Sequence, residues 1–90
     1  MAKPIFVLKV FDQPGYFDRY TVVLSDDFMS AGGDEYACLS LSHNPDDPQG
    51  FSQFSTCSLE ADIGREIQWS DLSDRVRTHV IERCNDEASL

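Results

Sequence analysis

Up to Trp69 the apolar residues of this chain fall in short runs, alternating most cleanly over Glu35 to His43, each run cut off by a cluster of Pro, Gly, Asn or Asp. Beyond Ser70 they recur at every fourth position, as Leu72, Val76, Val80 and Cys84. Alternation is the spacing of a strand with one buried face, and a recurrence near 3.6 is that of a helix with one apolar stripe. The switch therefore predicts strands first and a single closing helix. The expected fold class is α+β, a small antiparallel sheet of four to five strands packed by one C-terminal amphipathic helix. Ninety residues leave chain for one core, so 1–90 is expected to form a single domain, with 85–90 as a frayed tail.

The segment from Pro4 to Phe11 is too short and too β-branched for a stable helix, and Asp12-Gln13-Pro14-Gly15 stops it. Pro-Gly suits the central positions of a type II turn, because proline presets φ at the first and glycine tolerates positive φ at the second. Arg19 to Ser25 completes a hairpin, with Tyr20, Val22 and Leu24 on one face and Thr21 and Val23 on the other. Asp26 to Asp34 is a loop, anchored from beneath by Phe28-Met29. Glu35 to His43 alternates, placing Ala37, Leu39 and Leu41 toward the core and Tyr36, Cys38, Ser40 and Ser42 away from it. Asn44 to Gly50 holds two prolines and must be an ordered turn. A fourth strand is expected over Phe51 to Leu59 and a short fifth over Glu66 to Trp69, with Trp69 in the core. Ser70 carries the hydroxyl of an N-cap, Asp71 and Asp74 suit the first helical turn, and Arg83 suits the last.

Charge bounds the function classes. Sixteen acids against seven bases give a net charge of −9, whose field repels nucleic acid and anionic lipid and draws in basic partners. Between Tyr20 and Gly64 there is no Lys or Arg, so the middle of the chain is purely anionic. No apolar run approaches the roughly 20 residues of a membrane span. Cys38, Cys57 and Cys84 are odd in number, widely spaced and free of any CxxC pair, which points to small hydrophobes in a reducing cytoplasm; a Cys38–Cys57 bridge between neighbouring strands stays open.

Asp18-Arg19-Tyr20-Thr21-Val22-Val23, the loop Ser42-His43-Asn44-Pro45 to Pro48-Gln49-Gly50-Phe51, and Ile63-Gly64-Arg65-Glu66-Ile67 leading into Ser70-Asp71-Leu72 occur in an order and spacing that carry a resemblance. Together they resemble a group of small uncharacterised proteins of phages, plasmids and related mobile elements. The resemblance implies a genomic setting and assigns no catalytic residue.

Three kinds of chemistry can be set against these residues. A thiol enzyme would need Cys38 or Cys57 within reach of His43 or His79, and strand alternation puts Cys38 and His43 on opposite faces. His43 with Asp46 and Asp47 could ligate a divalent metal, although turn hydrogen bonds account for the same residues. Neither GxGxxG nor a P-loop pattern is present, and no cofactor is expected. The third is steric and electrostatic. Asp26, Asp27, Asp34, Glu35, Asp46, Asp47, Glu60 and Asp62 could imitate a row of phosphates, with Phe51 and Phe54 as desolvated anchors. The expected function is a non-enzymatic binding protein that occludes the basic surface of a host nucleic-acid-processing or defence protein, in the manner of an anti-CRISPR factor. The runner-up is a structural or regulatory homodimer formed at a sheet edge.

Overall fold

The computed structural model describes residues 2–45 and 47–88. Strands β1 (Val7–Asp12), β2 (Tyr20–Leu24), β3 (Tyr36–Leu41), β4 (Ser52–Cys57) and β5 (Arg65–Ile67) precede a single 3-10 turn at Trp69–Asp71 and helix α1 (Asp74–Ala88). All strand pairs are antiparallel, and the five lie in the order β4-β3-β2-β1-β5. The first four strands form a meander, and residues 58–64 carry the chain back so that β5 adds to the free side of β1. The expected α+β architecture is the observed one.

Cross-strand register aligns the core. Ile67, Val10, Val22, Leu39 and Phe54 stand opposite one another in a single row across the sheet. Against this face α1 lays Val76, Val80 and Cys84, joined by Leu72 and Trp69. Val22, Leu39 and Val80 are fully buried, each contributing roughly 1.5–3 kcal/mol through removal of apolar area from water. A register shift between Val7 and Lys9 keeps Val7 in the core beside Val10 although the two are three residues apart, and leaves Leu8 partly exposed. The Pro14-Gly15 turn forms as expected, with Gly15 at φ +95° and the Tyr16 amide donating to the Gln13 carbonyl at 3.3 Å. At Gly64, φ is +109° and a Cβ would lie 2.6 Å from the Asp12 carbonyl oxygen, so only glycine lets β5 approach β1 this closely.

The helix departs from expectation at both ends. Ser70 lies in the 3-10 turn, where Asp71 accepts a hydrogen bond from the Gln68 amide at 2.8 Å and is no part of the first α-helical turn. Ser73 caps α1 instead, its hydroxyl accepting from the Val76 amide at 3.3 Å. Of the residues expected to fray, 85–88 continue the helix to Ala88 and 89–90 lie outside the described residues, so Arg83 is not in the last turn of α1, which holds no basic residue.

Candidate functional site

The strand directions divide the molecule into two ends. The turns at 13–19 and 42–51 occupy one, here the hairpin end; the loop at 25–35 and the start of the 58–64 connection occupy the other. The second is the acidic end. Its loop is pinned by the Phe28 and Met29 amides, which both donate to the Ser25 carbonyl at 3.1 Å, and by Phe28 stacking on Phe6 with ring centroids 5.0 Å apart. Gly32 and Gly33 then turn the chain in left-handed conformations, and Ser30 bridges to Tyr36. This leaves Asp26 and Asp27 on one side of the anchor and Asp34 and Glu35 on the other. The Ser58 hydroxyl accepts from the Glu60 amide at 3.3 Å and turns Glu60 toward them. Asp26, Asp34, Glu35 and Glu60 thus share one concavity of about 440 Å³ with Tyr36 and Leu59. Asp27 lines the adjoining hollow with Ile5, Phe6 and Phe28, where Ile5 is 98% exposed.

Helix α1 adds to this end. Arg75 donates to Asn44 at 2.8 Å at the hairpin end, His79 meets Ser52 at 3.0 Å, and the Arg83 guanidinium lies over the Phe54 ring at 5.1 Å. The helix therefore runs in the direction of β4, and its final turn brings Asp86, Glu87 and the negative end of its dipole toward the acidic end. Asp86 and Glu87 are absent from the expected site because that stretch read as a frayed tail. The signal available was an uninterrupted run of helix-compatible residues after Cys84. Among the described residues the ion pairs are Lys9–Glu66, Arg19–Asp12 and Arg77–Asp74, so Asp26, Asp27, Asp34, Glu35, Glu60 and Asp62 remain unneutralised.

Other expected site residues lie elsewhere. Asp47 is in the turn at the hairpin end, where its carboxylate accepts from the Gln49 amide at 2.9 Å. Asp46 lies outside the described residues. Asp62 accepts from the Gly64 amide at 3.3 Å, within the segment joining the two ends. Phe51 packs against Phe17 at 5.8 Å at the hairpin end, and Phe54 is half-buried beneath Arg83, so neither aromatic stands beside the acidic concavity. The exposed aromatics are Tyr16 and Phe17, which follow the Pro-Gly turn. Local sequence gave no reason to separate them from core residues.

The thiols are not assembled with a base. Cys38 and Cys57 project from the sheet face opposite α1, on adjacent strands and unbridged, with the Cys38 Sγ 3.3 Å from the Ser55 hydroxyl. Burial, and then the neighbouring Cys38, push the Cys57 thiol up to about 12; burial pushes Cys84, inside the core, up to about 11. His43 lies beyond the end of β3, and His79, expected to face solvent, is half-buried against Ser52. Among the described residues no group of His, Cys, Asp or Glu is placed to hold a metal ion, and no helix is long and apolar enough to cross a membrane. No family model, curated protein or solved structure matches the chain.

Proposed function

We propose that this chain is a non-enzymatic binding protein that uses its acidic end to occlude a basic, nucleic-acid-binding surface on a host protein in the cytoplasm, as an anti-defence (anti-CRISPR-like) factor of a mobile element. The observation that carries the reading is the shared concavity of Asp26, Asp34, Glu35 and Glu60, formed by segments distant in sequence and without a cation among the described residues. Carboxylates held at fixed spacing attract a cationic groove at long range, and occlusion needs no covalent step. Exposed Ile5, beside Asp27, supplies the apolar contact that Phe51 and Phe54 were expected to make. The resemblance to small phage and plasmid proteins supports the setting.

Capture from a host lysate at low and at high ionic strength tests it. A basic protein should be retained at low salt and released steeply as salt rises. Asp26→Asn with Asp27→Asn, or Asp34→Asn with Glu35→Gln, should weaken capture, while Asp47→Asn at the opposite end should leave it unchanged. Salt-insensitive capture, or full capture by both double variants, would overturn the proposal.

A further inference from the structure

We propose that the outer edge of β4 is a self-association surface through which two copies of this chain pair antiparallel, joining their sheets into one. This pairing is independent of the proposed occlusion, and the acidic end enters only in setting its direction. Among the described residues nothing in the strand order lies beyond β4, and residues 48–59, which contain it, form the longest stretch without Asp, Glu, Lys or Arg in a chain of net charge −9.

The direction of the backbone groups follows from the ladder. The Ser42 amide donates to the Phe51 carbonyl at 2.8 Å, so Ser42 and Phe51 form a hydrogen-bonded pair, and the register continues without a break to Tyr36 opposite Cys57. Hydrogen-bonded and non-bonded pairs alternate in an antiparallel ladder. Gln53, Ser55 and Cys57 therefore turn their backbone groups toward β3, and Ser52, Phe54 and Thr56 turn theirs outward. Such a row of alternating donors and acceptors is complementary to a second copy of itself run in the opposite direction.

The usual protections of an edge are missing here. Between Ser52 and Cys57 there is no proline, no charge and no bulge. The opposite edge differs, since β5 spans only Arg65–Ile67 and carries Arg65 and Glu66. Charge selects the direction of pairing. Antiparallel alignment places the acidic end of one copy beside the hairpin end of the other, where Arg75 stands near Asp47, whereas parallel alignment would set Asp26, Asp34, Glu35 and Glu60 of both copies side by side.

Sedimentation across a concentration series reads the result. The mass should rise toward about 20 kDa, twice the 10.2 kDa chain, as concentration increases. Thr56→Pro removes an outward amide and leaves the bonds to β3 intact, so it should give a folded monomer with an unchanged circular dichroism spectrum. In the unmodified chain, exchange of the Phe54 and Thr56 amides should slow about tenfold or more between dilute and concentrated samples. That measurement stands even if the proline variant does not fold. A monomer at every concentration, a dimer unaffected by Thr56→Pro in its folded form, or concentration-independent exchange at both amides would overturn the proposal and leave this edge to the strand of a different protein or to solvent.

Discussion

Arg19 holds Asp12 by both carboxylate oxygens, with Nε donating to Oδ1 at 2.8 Å and a terminal nitrogen donating to Oδ2 at 3.1 Å. Asp12 is 5% exposed and sits opposite Tyr20 in the ladder, so the pair closes the hairpin end of β1 and β2. The bidentate bond to Arg19 lowers the carboxyl pKa against the opposing effect of burial. Asp12→Asn should cost roughly 1–3 kcal/mol at neutral pH, measured by urea denaturation. A group whose folded pKa is depressed stabilises the fold above its unfolded pKa of about 3.9 and loses that contribution as pH falls through the lower folded value. The gap between Asp12→Asn and the unmodified chain should therefore be constant above about pH 5 and close in more acidic buffer. A gap unchanged down to the acid transition would remove this account.

Gly50 is required for space, not for its backbone angle. A Cβ there would collide with the Asn44 carbonyl oxygen and lie 2.8 Å from the Pro45 carbonyl carbon, both backbone atoms in a turn held by the Ser42–Phe51 and Arg75–Asn44 bonds. Gly50→Ala should destabilise by about 1–3 kcal/mol. Gly33→Ala meets no neighbour within 4 Å and incurs only the strain of φ +59°, about 1–2 kcal/mol. The discriminating readout is local: the backbone amide at position 50, which donates to the Asp47 carbonyl at 2.7 Å, should exchange faster in Gly50→Ala but not in Gly33→Ala.

The raised Cys57 pKa predicts an inert thiol. With a value of about 12, the thiolate at pH 8 is on the order of one part in ten thousand, against about a quarter for an ordinary thiol. Disulfide reagents should label Cys57 slowly in the native protein and at the normal rate in denaturant. Fast native labelling at this position would show that the strand edge opens.

Unpaired carboxylates at one end should repel one another. Raising ionic strength from about 0.01 M to 0.15 M shortens the screening length from about 30 Å to about 8 Å and should raise the melting temperature by a few degrees. Asp34→Asn with Glu35→Gln should raise the low-salt melting temperature and reduce that dependence. A melting temperature indifferent to salt would mean that the acids act independently.

Local physics explains what was readable before folding. Alternation over Tyr20–Leu24 and Tyr36–Leu41 assigned both strands and the face that packs against α1, because each residue's side is set by its neighbour two positions away; it did not show that Val23 and Cys38, expected to face away from the core, are buried on the other face as well. The Pro14-Gly15 turn and the stripe of Val76, Val80 and Cys84 were legible for the same reason. The choice of Ser73 over Ser70 as cap was not, because both offer a hydroxyl and the packing of Trp69 into the core decides where the helix can begin.

The sequence by itself determined the elements, the apolar faces and the anionic character of the middle of the chain. Tertiary structure alone decided that β5 joins β1, that β4 is left as the open edge, and that Asp26, Asp34, Glu35 and Glu60 meet while Asp47 stands at the other end. The division has one cause. Backbone periodicity is imposed within a few residues, whereas the distance between two loops depends on the order in which strands pair, which no local pattern records.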